Sequence, residues 1–393
     1  MRHAILRACG ASLLVLALVM LAGARPAAAD PPAQADLAPA IAEYQRKLAA
    51  YTLARAQYEA EVNTYWTAIA EKRRIRNDKR RNQAEIVAED YVLTQPPVYS
   101  GPRRPVDPAA PDEKPPSPPR KYVPVVADFL KAAAEHFHFV PQRPASEIEF
   151  KRAYVRTASA AGLTRDQVVR IYGFESGGNG SYDVQAGLEY RRTGRAISTA
   201  LGYNQLLHVN SISMLAENGE RIVKALEAKA ARLTGAAKIG LQGKIANVRR
   251  MIEFSRTVPV RWSEHEKLAG TPEGLGPHAL NLDIDVGPLL QTQKLLDSVV
   301  FARRKGLGRP LRAAELELMN FTGDGNGFDM VSMPEAMRGK VPTANFFRQS
   351  GYERNPVASR NNVVAKLMAS IDAKMDRESR QKGARDMATL FRR

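Results

Sequence analysis

The chain lacks the residues that stabilise small exported folds through covalent or metal links. It has one cysteine, Cys9, and six histidines among 393 residues. A single thiol excludes a disulfide within the chain. The one close histidine pair, His136 and His138, has no third ligand at a metal-binding spacing. The protein must therefore depend on a large hydrophobic core, and its length allows one full domain with an appendage.

Motifs of several common enzyme classes are also absent. The sequence contains no Gly-x-Ser-x-Gly elbow, no phosphate-binding loop and no paired-cysteine metal motif. The glycine-rich stretch GDGNGFD, residues 323–329, resembles a calcium loop only in composition. It lacks the acidic register of an EF-hand and the glutamate at its twelfth position. We therefore expect the protein to need neither a metal nor another cofactor.

Long apolar runs are confined to the beginning of the sequence. Arg2 and Arg7 precede the apolar run Ala8–Ala24, and the small residues Ala27–Ala29 follow as a cleavage site. The run is shorter than the roughly 20 residues of a membrane span. We expect residues 1–29 to be a signal peptide cleaved near Ala29, which makes the mature protein periplasmic or secreted. An uncleaved anchor is the alternative.

Negative charge is scarce compared with positive charge. The chain has 58 basic and 41 acidic residues, giving a net charge of +17. A basic intracellular protein suggests nucleic acid as a partner. An exported one instead meets anionic cell-wall polymers and lipid surfaces. We therefore expect no nucleic-acid partner, although the charge could also serve solubility alone.

A seven-residue repeat in residues 37–69 predicts one long helix within an N-terminal arm, residues 30–94. Tyrosine fills seam positions where a self-pairing coil would carry leucine, and its hydroxyl needs water or a partner. The seam is therefore buried by the rest of the chain, by a partner protein or by a second copy. The basic run Lys72–Arg81 is either a solvated face or a wall or membrane contact. The seam residues are Leu37, Ile41, Tyr44, Leu48, Tyr51, Arg55, Tyr58, Val62, Tyr65 and Ile69.

A proline-rich segment, residues 95–121, predicts an extended spacer before the main domain. The main domain, residues 122–376, has helical periodicity throughout, and we expect a mainly α fold followed by a basic tail, residues 377–393. Capping boxes begin two of its helices, at Ser146 with Glu149 and at Thr164 with Gln167. A short strand pair within Tyr182–Ile197 is weakly indicated. Further helical patterns cover Ser211–Glu217, Arg221–Leu233, Pro288–Arg303, Ala313–Met319 and Val363–Met375.

The stretch IYGFESGGNG, residues 171–180, places an acid in the last turn of a predicted helix. Glu175 shares a helical stripe with Val168, Ile171 and Tyr172, so it faces inward. Loss of hydration there raises the pKa of a carboxyl toward the range of a general acid. The glycines that follow keep side chains out of the space in front. We interpret Glu175 as a candidate general acid, with a structural buried glutamate as the alternative.

Four segments in the right order resemble motifs of lytic transglycosylases and goose-type lysozymes. FESGG, residues 174–178, resembles the catalytic glutamate motif, and STALGYNQLL, residues 198–207, resembles the Gly-x-x-Gln motif. LNLDIDVG, residues 280–287, is similar to the family's Asn-Ile-x-x-Gly helix start. ELMNFTGDG, residues 317–325, is similar to its Tyr-Asn-Ala-Gly stretch. The matching positions are Glu175, Ser176, Ser198, Gly202, Gln205, Asn320 and Gly323.

The resemblance implies a lysozyme-like domain that cleaves the MurNAc–GlcNAc bond of peptidoglycan with Glu175 as its one catalytic carboxyl, leaving 1,6-anhydro-MurNAc ends. A hydrolytic muramidase and a non-catalytic wall-binding scaffold are the alternatives. Asp183 is the nearest downstream acid that could act as a second carboxyl. The chain departs from the family at Tyr203-Asn204, which replaces the usual Leu-Met pair, at Met319, where a tyrosine is expected, and by an insert from about Thr234 to His278. The implied substrate-binding residues are Ser176, Ser198, Gly202, Tyr203, Asn204, Gln205, Asn320 and Gly323.

Overall fold

The computed structural model describes residues 34–110, 122–188 and 196–392 of the chain. The predicted signal peptide and the second part of the proline-rich segment lie outside the described residues. Within the described ranges the fold is mainly α-helical, as predicted. None of the helices there combines the length and hydropathy that a membrane span requires.

Fifteen α-helices occur in the described residues, joined by loops and short 3₁₀ turns. The first five are α1 (Gln34–Arg81), α2 (Val126–Phe137), α3 (Glu147–Ala160), α4 (Arg165–Ser176) and α5 (His208–Ala230). The next five are α6 (Gly235–Ser255), α7 (Trp262–Ala269), α8 (Gly287–Arg304), α9 (Ala313–Thr322) and α10 (Asp324–Ser332). The last five are α11 (Glu335–Arg338), α12 (Gln349–Glu353), α13 (Pro356–Arg360), α14 (Val364–Glu378) and α15 (Lys382–Thr389).

No β-strand forms in the described part of the chain. Where a strand pair was suggested within Tyr182–Ile197, the described residues make only an isolated bridge between Gln185 and Leu201. Further single bridges join Leu201 to Leu206 and Pro342 to Val363. Residues 189–195 of the suggested pair lie outside the described residues, and the described residues on either side of them form no strand.

The described residues fall into two compact units. One holds the described residues up to Gln57 together with those from Tyr99 to Ala110, and the other holds the rest. Within the first unit, the Tyr99 ring packs edge-on against Tyr51, with centroids 6.3 Å apart. The Arg55 guanidinium lies 5.4 Å from the centre of the same ring. The seam tyrosine Tyr51 thus has its partner in the proline-rich segment.

In the second unit, the C-terminal part of the predicted seam is buried by the same chain. Val62, Tyr65 and Ile69 are all buried. The Tyr65 hydroxyl donates a hydrogen bond to the Thr94 carbonyl at 3.0 Å, which satisfies the polar end of the ring. Residues from the last third of the chain complete this cluster, namely Ala344, Tyr352 and Ala358.

Much of the basic run Lys72–Arg81 belongs to the protein interior. Arg76 is fully buried and donates hydrogen bonds of 2.8 Å to the carbonyls of Asp90 and Asn345. Arg80 forms an ion pair with Asp329, whose side chain is almost fully buried. Arg76 and Arg80, one helical turn apart on the same side of α1, therefore point into the fold and are not part of a solvated face.

The main core surrounds α4, which packs against α9, α14 and α15. Its centre contains buried side chains from these helices and from α3. Among them are Tyr154, Ile171, Tyr172, Leu316, Leu318, Met319, Leu367 and Ile371. A second cluster joins α2, α5 and α6 to the 3₁₀ turn Glu273–Leu282. The insert predicted from Thr234 to His278 therefore adds α6 and part of that turn to the second cluster, while Ala269 at the end of α7 packs with Val209 and Ile212 in a smaller one.

Local sequence signals account for the beginnings of the central helices. The Thr164 hydroxyl accepts the Gln167 N–H, and the Gln167 side chain accepts the Thr164 N–H, which completes the predicted capping box. The two patterns Ser211–Glu217 and Arg221–Leu233 merge into the single helix α5. The segment 377–393, expected to be a basic tail, contains α15, whose inner face is buried.

Candidate functional site

Glu175 lies in the last turn of α4, on the stripe predicted from the sequence. Val168, Ile171 and Tyr172 on this stripe are fully buried, whereas Glu175 is half-buried. Gly177 ends the helix in the left-handed conformation, with φ of +65°. A side chain at Gly177 would meet nothing within 4 Å, so the space beside the end of the helix is open there.

The next glycine serves packing instead. Gly178 has φ of +71°, and a Cβ atom there would collide with the carbonyl oxygen of Glu378. Its own carbonyl accepts the N–H of Ala384, on α15, at 2.8 Å. The glycine run after Glu175 therefore does two things, because Gly177 leaves open space while Gly178 lets the C-terminal helices approach.

The Glu175 carboxyl is held by residues of α9. The Asn320 amide donates to Glu175 Oε1 at 3.0 Å, so two residues that the sequence placed in one site do meet. The same amide nitrogen lies 3.4 Å from Glu317 Oε2, so the carboxyls of Glu175 and Glu317 share the Asn320 amide. Burial raises the pKa of Glu175, and the hydrogen bonds from Glu317 and Asn320 with the charges of Lys374 and Lys294 offset part of that rise.

Glu317 is the site residue that sequence reasoning missed. Its side chain is fully buried, and its Oε2 lies 3.4 Å from the Asn320 amide nitrogen. Among the described residues, no N–H or O–H group donates to Glu317 Oε1. Burial, followed by the charge of Glu175, raises the pKa of Glu317 well above its ordinary value. Its spacing of three residues from Asn320 was the signal available in the sequence.

A cation lies beside the helix end that carries Glu175. The Lys374 ammonium is 4.0 Å from the centre of the Phe174 ring, one residue before the acid. A cation at this position favours the ionised form of a neighbouring carboxyl. Lys294, on α8, acts on Glu175 in the same direction. Helices α8, α9 and α14 thus all contribute to the environment of the Glu175 carboxyl.

The Gly-x-x-Gln segment forms a loop that α8 holds from inside. The Asn204 backbone N–H donates to Gln291 Oε1 at 2.8 Å, and the Asn204 amide donates to the Gln291 carbonyl at 2.8 Å. Tyr203 is fully buried and donates its hydroxyl proton to Glu147. The side chains of Tyr203 and Asn204 therefore support the loop from the interior instead of facing a substrate.

Gly202 and Gln205 shape the turn of that loop. Gly202 has φ of +80° and packs against the Gln291 amide, while Gln205 is held at φ of +45°. The Gln205 amide donates to the Gly202 carbonyl at 2.8 Å. The structure shows no hydrogen bond between Gln205 and Glu175. The loop reaches α4 through Tyr203, whose ring centre lies 4.9 Å from that of Tyr172.

The other predicted substrate-binding residues have mainly local partners. The buried Ser176 hydroxyl donates to the Tyr172 carbonyl at 2.6 Å. Ser198 Oγ accepts the N–H of Ala200 at 3.1 Å. Gly323, with φ of +82°, separates α9 from α10 and has open space where a side chain would project.

Asp183, the candidate second carboxyl, and Met319, where the family has a tyrosine, both lie in local or core packing. Asp183 pairs with Arg143 at 3.1 Å and accepts the Ser181 hydroxyl at 2.7 Å, which fits a turn residue. Met319 is fully buried in the main core. Neither residue forms a hydrogen bond or an ion pair with Glu175. Glu317 is the acid that shares the Asn320 amide with Glu175.

No metal cluster forms in the part of the chain that the structure describes. No group of three histidine, cysteine, aspartate or glutamate side chains converges there in a way that could hold an ion. Comparisons with protein-family models, curated proteins and solved structures give no match to this chain. The chemistry of the site must therefore be inferred from the arrangement around Glu175.

Proposed function

We propose that this protein is an exported peptidoglycan lytic transglycosylase in which Glu175 is the one catalytic acid and base. The observation that carries the proposal is the half-buried carboxyl of Glu175 at the end of α4, which accepts a hydrogen bond from the Asn320 amide at 3.0 Å. Burial favours the protonated form, while the amide of Asn320 and two lysines favour the ionised form. Such a carboxyl is suited to give a proton and then take one back.

The proposed reaction begins when protonated Glu175 gives its proton to the glycosidic oxygen between MurNAc and GlcNAc. The bond from the anomeric carbon to that oxygen breaks, and the substrate's own acetamido carbonyl stabilises the positive carbon, as in substrate-assisted hydrolases. Ionised Glu175 then takes the proton of the MurNAc 6-hydroxyl. The freed oxygen bonds to the anomeric carbon and closes the 1,6-anhydro ring, so no water is consumed.

The surrounding acids support a mechanism with one catalytic carboxyl. A second catalytic carboxyl in a glycosidase stands about 5 Å or more from the first, on the other side of the sugar. Glu317 is fully buried and shares the Asn320 amide with Glu175, so it cannot face the opposite side of a substrate. Asp183 is held by Arg143 and Ser181. These positions favour ring closure by the substrate over a hydrolytic muramidase.

One observation favours a non-catalytic wall-binding protein as the second candidate. Tyr203 and Asn204 are implied sugar contacts, yet both side chains are buried and hydrogen bonded within the fold. Fewer side chains then remain to hold a glycan in the position for cleavage. A scaffold would bind sacculi without releasing muropeptides.

Product analysis of digested sacculi tests the proposal. Wild-type protein should release muropeptides with 1,6-anhydro ends, lighter by one water than lysozyme products. Glu175→Gln should keep the helical circular dichroism spectrum but lose about a hundred- to ten-thousand-fold in rate. Asp183→Asn is the matched control and should keep most of the activity. Full-mass reducing ends would instead indicate the hydrolase, and binding without release would indicate the scaffold.

A further inference from the structure

Two buried glutamates on α9 have opposite surroundings. Glu315 and Glu317 are both fully buried. Glu315 forms ion pairs with Arg309 at 2.7 Å and Arg312 at 3.1 Å. Burial raises the pKa of Glu315, but the hydrogen bonds from these arginines outweigh it and keep that pKa below its ordinary value. Among the described residues, no cation lies within ion-pairing distance of Glu317.

The hydrogen bonds of Glu317 are incomplete if its carboxyl is ionised. Oε2 lies 3.4 Å from the Asn320 amide, but no described donor reaches the buried Oε1. A buried ionised oxygen without a donor is costly. A proton on Oε1 converts it from an acceptor into a donor, and the Glu175 carboxyl, which shares the Asn320 amide with Glu317, is the acceptor beside it.

We propose that Glu317 is a positioning residue that stays a neutral carboxylic acid and donates a hydrogen bond from Oε1 to the Glu175 carboxyl. Together with Asn320 it would form a pair of donors on one face of α9, three residues apart, that orients Glu175 through both proton transfers. This inference rests on the function proposed for Glu175. It assigns to Glu317 no contact with the substrate.

The charges around the pair agree with a neutral Glu317. Burial and the charge of Glu175 both oppose ionisation of Glu317. The charged and polar groups that face the pair are Lys374 from α14, Lys294 from α8 and Asn320 from α9. Lys374 acts on both carboxyls, whereas Lys294 acts on Glu175, so the negative charge of the pair belongs on Glu175. Two carboxyls in contact share one charge for the same reason in other carboxyl pairs.

The direct test measures where the proton lies, without depending on activity. The full-length chain is labelled with ¹³C at glutamate side-chain carboxyls, and its carboxyl signals are titrated by NMR. The signal lost in Glu317→Gln identifies Glu317. It should show the protonated shift at pH 7, whereas the signal lost in Glu315→Gln should show the ionised shift. A Glu317 signal that titrates near the ordinary value would overturn the proposal.

The kinetic test separates a donor from a merely structural residue. Glu317→Gln keeps an N–H donor and should stay within about threefold of the wild-type rate, since a neutral donor replaces a neutral donor. Glu317→Leu has no donor and should lose about ten- to a hundredfold, as for a hydrogen bond to a charged group. Its alkaline limb should also move to higher pH, because a bond that lowers the pKa of Glu175 is lost.

The controls distinguish this inference from the proposed function. Glu315→Gln removes the acceptor charge of a buried ion pair, so it should lower stability yet leave the alkaline limb in place. Equal losses in Glu317→Gln and Glu317→Leu with an unmoved limb would overturn the positioning role. If wild-type protein releases no muropeptide, the proposed function fails, and the NMR titration still decides whether Glu317 holds the proton.

Discussion

Replacing Arg76 with methionine should destabilise the second unit more than any other change in the basic run. Methionine keeps most of the hydrocarbon length but removes the charge and all five donors. The Asp90 and Asn345 carbonyls each lose a 2.8 Å hydrogen bond, and Asp329 loses an ion pair at 3.6 Å. The guanidinium also leaves the face of Tyr91, whose ring centre is 4.5 Å away.

The size of the effect follows from burial. Removing one member of a buried ion pair costs about 3–5 kcal/mol, because its partners stay buried without compensation. The individual losses are not additive, and Arg80 still pairs with Asp329, so we expect a total within that range. An unfolding free energy of about 5–15 kcal/mol is typical of a whole domain. The exposed Arg74, 3.7 Å from Asp78, should lose less than about 0.5 kcal/mol on the same replacement.

Trp66 provides the assay. Its ring centre is 5.8 Å from that of Tyr352, so its fluorescence reports whether this part of α1 stays packed. In a Trp262→Phe background it is the one tryptophan in the chain. Urea titrations of the Arg76→Met and Arg74→Met variants would give the two differences in unfolding free energy. A loss below about 1 kcal/mol for Arg76→Met would refute the reasoning, because the hydrogen bonds and the ion pair of Arg76 would then contribute little to stability.

Three further results are expected from other parts of the molecule. Because the pKa of Glu317 is raised, the folded chain holds more protons than the unfolded chain above pH 4.5, and wild-type stability falls as pH rises from there. The melting temperature of Glu317→Gln should fall less over the same pH range. Parallel melting curves of the two proteins against pH would contradict the raised pKa. Gly177→Ala, where space is open, should lower stability by roughly 1 kcal/mol because of its positive φ alone. Gly178→Ala should lower it by more, because a Cβ there also collides with the backbone of Glu378. Equal melting temperatures in the two variants would contradict this packing. Glutamine at the exposed Arg81 should weaken sacculus binding at low salt and change little at high salt, and binding that is unchanged at low salt would leave this charge as a solvated one.

The sequence predicted those features of the fold that depend on residues close together in the chain. The capping box at Thr164 and the inward stripe that ends at Glu175 depend on spacings within one helix, and both are present. The two patterns Ser211–Glu217 and Arg221–Leu233 are parts of one helix, α5, which continues through Gly219 between them. In the structure Gly219 is a close contact, since a Cβ there would lie 2.6 Å from Ile252. Tertiary packing thus outweighs the low helix propensity of glycine.

The parts of the site that depend on distant residues were only partly predictable. The pairing of Glu175 with Asn320 followed from a motif resemblance and not from any physical signal in the chain. Glu315 and Glu317 alternate with leucine on one helix, and the sequence around them does not show which acid receives arginines. Arg76 lay within a charge run that normally stays solvated. In both cases the answer depends on which helices pack together.

The contact between α15 and the loop after Glu175 also affects the order in which the chain can mature. The Ala384 N–H that reaches the Gly178 carbonyl is synthesised long after Glu175. Until α15 has been synthesised, the loop after Glu175 lacks this packing partner. In the same way, the buried part of α1 lacks its contacts until Ala344 and Tyr352 have been synthesised. Contacts this far apart in sequence close late. The packing beside the candidate site thus requires α15, so a chain truncated before α15 would carry Glu175 without this contact at the following loop.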